Sequence, residues 1–150
     1  MSLLFYLSTA ARPVLGRAEG IYMWDTSGRR FIDGAGGAVV SNAGHPTPAA
    51  LAAMRAQMDK STFGYRLHFE TEPGELLAAK VAALSPEGME KVFFVSGGSE
   101  AVESAMKLAR QYAVVTGQAS RWKVISRFPS YHGSTLGALS VTGYDPLTDP

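Results

Sequence analysis

The clearest pattern in the chain is an apolar run that leads through a Ser/Gly turn into apolar residues spaced three and four apart. The run is 92–95, the turn is 96–98, and the spaced apolar positions fall within 99–116. The short apolar run predicts a strand over 92–95, and the apolar positions three and four apart predict a helix over 99–116. Gly117, which follows the last spaced position, is expected to end the helix.

The turn before this helix is a candidate anion site. A helix that begins directly after a strand aims unpaired N–H groups and the positive end of its dipole at whatever lies beyond the strand, so Gly98 and Ser99 could hold a phosphate. The residues after Gly97 fit neither a Walker A loop nor a dinucleotide-binding loop. An ordinary strand-to-helix connection remains an alternative. Glu100, in the first helical turn, fits a partner of the dipole better than a catalytic acid.

Two helix patterns follow a hairpin pattern in the first half of the chain. β-prone runs on either side of a polar turn predict a hairpin over 20–33. The glycine-rich run 34–44 is predicted to be a loop that approaches a ligand or another chain. Thr47 before Pro48 predicts a helix start, and a further helix is predicted from Thr71 to Leu84.

The second half alternates between apolar runs and a helix. After the helix the pattern predicts a strand over 123–127, a loop over 128–137 and a strand over 138–142. Strand, helix and strand in this order favour a parallel sheet that is covered on both faces. Ligands of such sheets bind beyond the carboxyl ends of the strands, where 96–99 and 129–133 both fall. That coincidence favours the phosphate site over the ordinary connection.

Composition narrows the functional classes. Hydrophobic residues make up 46% and charged residues 18% of the chain, as in globular proteins, and the net charge of +1 gives no case for nucleic acid or an anionic membrane. No cysteine is present, and the three histidines lack the carboxylate spacing of a metal site. The apolar start, 1–7, is too short for a signal peptide, and no window is long enough for a membrane helix. A cytoplasmic protein is expected.

Together the motifs resemble those of the class III aminotransferases, which are pyridoxal-phosphate (PLP) enzymes of fold type I. The resemblance extends in order from about Pro13 to Thr142. The segments that carry it are 20–33, Asn42-Ala43-Gly44-His45-Pro46, Ser96-Gly97-Gly98-Ser99-Glu100-Ala101 and Tyr131-His132-Gly133. Gly97-Gly98 stands where the family commonly has Ser-Gly, which removes one hydroxyl and keeps the backbone donors.

The resemblance implies a set of site residues. The backbone N–H groups of Gly98 and Ser99, with the Ser99 hydroxyl, would bind the phosphate of PLP, and Tyr131 would stack on the pyridine ring. Val39 and Tyr65 would line the substrate pocket. His132 fits a supporting hydrogen-bonding residue better than a base, and His45 and His68 fit local hydrogen bonding and packing. No metal site is expected.

The resemblance also implies an architecture. The expected fold is a three-layer αβα fold of type I with a mostly parallel sheet, incomplete in this chain, preceded by an N-terminal hairpin segment. The N-terminal segment would span 1–63, and the large PLP-binding domain would begin over 64–150. The family is dimeric with its sites between subunits, so a homodimer is expected and the 34–44 loop is a candidate interface.

The implied function is transfer of an amino group between an amine or amino acid and a 2-oxo acid. Transamination needs a Schiff-base lysine and an acid beside the pyridine nitrogen, and in the family both lie far downstream. None of the lysines here has a matching context, so no catalytic residue is assigned and these 150 residues alone are predicted to be inactive, unlike the parent protein. An aminomutase or racemase of the same family, or a non-catalytic scaffold, remains an alternative.

Overall fold

A computed structural model describes residues 3–6 and 8–148, which fall into two compact units, Met1–Thr71 and Glu72–Pro150. Parts of the apolar start (Met1, Ser2 and Leu7) and the last two positions (Asp149 and Pro150) lie outside the described residues. The division into domains over 1–63 and 64–150 remains a prediction.

The first unit contains a three-stranded antiparallel sheet in the order β1-β2-β3. The strands are β1 (Leu15–Glu19), β2 (Tyr22–Asp25) and β3 (Arg30–Ile32). Pairing of β2 with β3 confirms the hairpin. Asp25 shapes its turn, because Oδ1 accepts hydrogen bonds from the backbone N–H groups of Ser27 and Arg29 at 2.9 and 3.0 Å. The sequence pattern did not predict β1, which owes its strand form to pairing with β2.

The glycine-rich run of the first unit is mostly irregular, as predicted, but includes a short kinked helical segment, α1 (Gly36–Val39). Backbone hydrogen bonds between Gly20 and His45 tie the end of this run to the hairpin. The predicted helix after Thr47 is α2 (Pro48–Lys60), with proline at its start.

The second unit is helical. Its elements are α3 (Glu72–Leu84), α4 (Gly98–Val115), α5 (Leu136–Ser140) and α6 (Asp145–Thr148). The positions of α3 and α4 confirm the predicted helices to within a residue. As predicted, α4 ends at a glycine: Gly117 has φ +76° and donates to Val114 O at 3.1 Å. α5 packs against α4 and α6, and in the described part of the chain the buried apolar side chains are Ala113 and Ala138.

The predicted strand over 138–142 is wrong, because Leu136–Ser140 is helical. A short apolar run fits either structure, and here side-chain contacts from α4 fix the helical form. Residues 145–148, predicted as part of a turn-rich tail, form α6. Over 92–95 and 123–127 the described chain has no regular strand, and the sheet that it contains is antiparallel. The mixed α/β content agrees with the expected fold class, whereas the three-layer arrangement with a parallel sheet remains a prediction.

Candidate functional site

The start of α4 offers unpaired backbone donors. Gly97, the N-cap, has extended backbone and makes no side-chain capping bond, and the first helical hydrogen bond is from Ala101 N–H to Gly97 O. The N–H groups of Gly98 and Ser99 precede that bond and have no partner within the helix. The Cβ side of Gly98 is open, since a Cβ there would meet nothing within 4 Å. An anion can therefore approach these donors.

One carboxylate already lies near this helix start. A Cβ on Gly97 would lie 2.8 Å from Glu100 Oε2, so the side chain of Glu100 folds back toward the N-terminus of α4. This position agrees with the predicted role of Glu100 as a partner of the helix dipole.

Ser99 connects the helix start to the segment that follows Tyr131. Its Oγ accepts a hydrogen bond from the backbone N–H of Ser134 at 3.0 Å. A hydroxyl that accepts in this way keeps its own hydrogen for donation to a further acceptor. Gly133 lies against the same residue, because a Cβ at Gly133 would be 2.8 Å from Ser99 Cα. The structure thus brings two of the predicted motifs, 96–101 and 131–133, into direct contact.

Glu103, one turn further along α4, makes a second connection. Its Oε1 accepts hydrogen bonds from Thr135 Oγ1 at 2.8 Å and from Gly137 N–H at 2.9 Å. The bond from Thr135, followed by those from the backbone of Gly137 and Ala138, lowers the pKa of the Glu103 carboxyl, and the positive charge of Lys107 adds to this. The Glu103 carboxylate is thus directed to the start of α5.

A buried hydroxyl supports the same segment from the other side. Thr142 is 7% exposed, and its Oγ1 accepts from His132 N–H at 3.1 Å and lies 2.9 Å from Ala138 O. Next to it, Ser130 N–H donates to Gly143 O at 2.9 Å. The backbone on both sides of Tyr131 is therefore held, and the Tyr131 side chain itself is 64% exposed.

In the first unit, a hydrogen bond between two side chains holds the glycine-rich run. His45 Nε2 lies 2.8 Å from Asp33 Oδ2, and both side chains are largely buried, at 28% and 13% exposed. The hydrogen bond from His45, followed by bonds from the backbone of Gly37 and Gly36, lowers the pKa of the Asp33 carboxyl. His45 forms a hydrogen bond, but the prediction that the bond would be local is wrong, since its side-chain partner is twelve residues away.

The two predicted substrate-pocket residues belong to the first unit. Val39 borders a cleft between Gly20 and the glycine-rich run, and its φ of +62° is unusual for a β-branched residue. Strain of this kind occurs most often at functional positions. Tyr65 packs edge-to-face on His68, with ring centroids 5.2 Å apart, which confirms the packing role expected for His68.

The described residues give no support to a metal site or a membrane-spanning helix. There, no group of three His, Cys, Asp or Glu side chains could hold a metal ion. Among residues 3–6 and 8–148, no helix is both long and apolar enough to cross a membrane. Lys60 ends α2, Lys80 and Lys107 lie on α3 and α4, and Lys91 and Lys123 lie outside the helices and strands.

Sequence reasoning missed the roles of Ser134, Thr135, Gly137 and Thr142. Their hydrogen-bond partners, on α4 or within 131–143, are between 4 and 35 residues away in the sequence. Most of these contacts do not follow the spacing of a helix or a strand. No local pattern indicates them.

Comparison with known proteins places this geometry in a family. Residues 7–148 match the model of the aminotransferase class-III family. An uncharacterized aminotransferase of Bacillus subtilis, YodT, is 43% identical over 136 residues, which are 91% of this chain and 31% of that protein.

Solved structures of transaminases also resemble this chain. An (S)-enantioselective omega-transaminase from Thermomicrobium roseum is 35% identical with a TM-score of 0.91, over 99% of this chain and 35% of that one. An amine transaminase from an uncultivated Pseudomonas species, solved in its PLP-bound form, is 31% identical with a TM-score of 0.83, over 99% and 36% of the two chains.

The chain spans about a third of the length of these relatives. PLP is the cofactor of the family, and the fold is that of the PLP enzymes of fold type I. The segments that the sequence motifs singled out, including the contact between Ser99 and Gly133, all fall inside the matched region. The chain belongs to the class III aminotransferases.

Proposed function

We propose that the full-length protein is a PLP-dependent aminotransferase that moves an amino group between an amine or amino acid and a 2-oxo acid. In this proposal Gly98, Ser99 and Tyr131 belong to the cofactor site. The observation that carries it is the start of α4, where the N–H groups of Gly98 and Ser99 have no partner within the helix, the Cβ side of Gly98 is open, and Ser99 Oγ accepts from the N–H of Ser134.

The phosphate of PLP is a dianion with several acceptor oxygens, and it fits these donors. The N–H groups of Gly98 and Ser99 would bind it at the positive end of the α4 dipole. Because Ser99 Oγ is oriented by the N–H of Ser134, its hydroxyl hydrogen is available to a phosphate oxygen. Hydrogen bonds to a charged acceptor contribute about 1.5–3 kcal/mol each.

Tyr131 would contact the pyridine ring. Its backbone is held on both sides while its ring is exposed, so the ring is free to cover a flat heterocycle. Offset stacking of this kind adds about 0.5–1.5 kcal/mol to the burial of apolar area. The cofactor, when bound, supplies the electron sink for chemistry at the amine carbon, and the residues of this chain bind and orient it.

The other parts of the proposal concern the whole protein. Val39 and Tyr65 would contact the substrate, and the strained backbone of Val39 supports a functional role for that position. The lysine that binds the cofactor covalently would lie elsewhere in the full-length protein. A cytoplasmic homodimer with the 34–44 loop at its interface, acting on small molecules and not on nucleic acid or membranes, completes the proposal.

The test uses the full-length protein. We expect it to bind PLP with a visible absorption band, and borohydride should fix the cofactor to one lysine. Amine and amino-acid donors supplied with pyruvate or 2-oxoglutarate should yield the amino product of the acceptor. Turnover without any oxo-acid acceptor would instead indicate a mutase or racemase, and absence of the band would indicate a scaffold.

The site assignment has its own test. Replacing both Ser99 and Tyr131 by alanine should weaken PLP retention during dialysis. The matched control is Ser104→Ala with Tyr112→Ala, since both residues lie on α4 beyond the helix start. Equal PLP occupancy in the two double variants would overturn the assignment.

A further inference from the structure

We propose that Glu103 is a positioning residue, whose carboxylate fixes the segment 131–137 against α4 so that Tyr131 faces the cofactor. This inference rests on the proposed function. It concerns a residue that would not contact the cofactor itself and acts through the segment that carries Tyr131.

Two side chains one turn apart on α4 bind the segment 131–137. Ser99 binds the backbone N–H of Ser134, and Glu103 binds Thr135 and Gly137. The two contacts lie at the cofactor-facing start of α4 and one turn behind it. Together they hold the segment at two points along the helix, whereas Ser99 alone supplies one hydrogen bond and the close contact with Gly133.

α5 depends on this carboxylate for its own start. Thr135 is the N-cap of α5, but its side chain makes no capping bond to α5 and donates to Glu103. Glu103, which lies on α4, accepts from Gly137 N–H. It thereby takes the place of the capping acceptor that the side chain of Thr135 does not supply to α5. The approach is close, because a Cβ on Gly137 would lie 2.5 Å from Glu103 Oε2. A carboxylate suits this place because it accepts from several donors at once.

The remaining contacts show why Tyr131 responds to Glu103. Thr142 binds His132 N–H, and Ser130 pairs with Gly143, so the near side of the segment is attached to the residues that follow α5. Because those residues continue directly from α5, a shift of α5 is transmitted to the backbone on both sides of Tyr131. Glu103 supplies the side-chain hydrogen bonds that tie the start of α5 to α4.

The test compares two probes in the full-length protein. PLP binding is followed by its affinity and by the visible circular dichroism of the bound cofactor, which reports how its ring is held. Inorganic phosphate, measured as a competitor of PLP, reports the phosphate donors without the pyridine ring. The variants are Glu103→Ala and Glu103→Gln, and Glu75→Gln is the control, because Glu75 occupies the first turn of α3.

We expect Glu103→Ala to raise the Kd for PLP about tenfold and to reduce the dichroism, while the affinity for inorganic phosphate changes less than about twofold. Glu103→Gln keeps an acceptor oxygen and should retain part of the dichroism. Glu75→Gln should match the wild type in both measurements.

Two results would overturn the inference. In the first, Glu103→Ala retains the wild-type dichroism and PLP affinity. In the second, phosphate and PLP affinities fall by the same factor, which means that Glu103 merely stabilises α4. Should Glu103→Ala fail to fold, Thr135→Val removes one of the two hydrogen bonds that Glu103 accepts. It is expected to weaken PLP binding more than phosphate binding, by a smaller factor than Glu103→Ala. A wild-type protein that binds no PLP would instead overturn the proposed function.

Discussion

Asp33 and His45 form a hydrogen-bonded pair, with Oδ2 and Nε2 2.8 Å apart, that closes the glycine-rich run onto the hairpin. The pair lies between the residue after β3 and the residue before Pro46, and the backbone of Gly20 binds His45 beside it. This side-chain pair and the backbone hydrogen bonds between Gly20 and His45 thus hold a run whose glycines would otherwise leave it poorly ordered.

The first prediction concerns the pH dependence of this pair. Because the folded-state pKa of Asp33 is lowered, its carboxylate stabilises the fold fully above the unfolded Asp pKa of about 3.9, and this stabilisation is lost as the pH falls through the lower folded-state value. Asp33→Asn should therefore lower the melting temperature at pH 7, and the gap from the wild type should narrow below about pH 4. Asp59→Asn, an exposed change on α2, is the control. A gap that stays constant down to pH 3 would refute the assignment.

The second prediction concerns the close approach at Gly133. A Cβ there would lie 2.8 Å from Ser99 Cα and 2.9 Å from Ala138 Cβ, and φ is +133°. Gly133→Ala should lower the free energy of unfolding by about 1–3 kcal/mol and weaken PLP binding. Gly28→Ala separates the two causes, because Gly28 has φ +87° with no atom near the added Cβ. Urea unfolding of both variants gives the comparison, and PLP binding unchanged in Gly133→Ala would contradict the prediction.

The third prediction concerns the strained backbone of Val39. At φ +62° a β-branched residue costs energy that glycine does not, so Val39→Gly should be more stable than Val39→Ala by about 0.5–1 kcal/mol. Val40, at φ −96°, is the matched control, and there Val40→Gly should be less stable than Val40→Ala. The same order of stability at both positions would show that Val39 is not strained.

The fourth prediction concerns the ring of Tyr131. Tyr131→Ala should raise the Kd for PLP about two- to tenfold, because stacking is worth about 0.5–1.5 kcal/mol, whereas Tyr131→Phe should keep the wild-type value. Tyr112→Ala removes an equally exposed ring from α4 and should have no effect. A loss in Tyr131→Phe as large as in Tyr131→Ala would point to the hydroxyl and not to the ring.

Local patterns predicted the parts of the fold that local interactions determine. The helix that became α4 has a regular apolar face, a glycine at its start and Gly117 at its end, so its bounds were predictable to within a residue. The hairpin was equally clear, because a side chain within its own turn, Asp25, sets the geometry.

The sequence predictions fail where contacts between residues far apart in the sequence determine the structure. Residues 138–142 fit a strand by composition, but Leu136–Ser140 is a helix whose start is bound by a carboxylate more than 30 residues earlier. β1 has a weak strand pattern and forms through pairing with β2. The strand pattern predicted that 96–99 and 129–133 would lie at one edge of a sheet, but it did not predict the direct contact of Ser99 with Gly133.

The exposed apolar side chains have a consequence for how variants are interpreted. In the described part of the chain the buried apolar side chains are two alanines, while Ile125, for example, is 96% exposed and Val115 is 82% exposed. Water is a poor environment for so many aliphatic groups, so we expect them to find cover from neighbouring protein surface. Truncating one of these residues would then report on the fit between this portion and whatever surrounds it, whereas changes at the buried Ala113 or Ala138 would report on the interior of the portion itself.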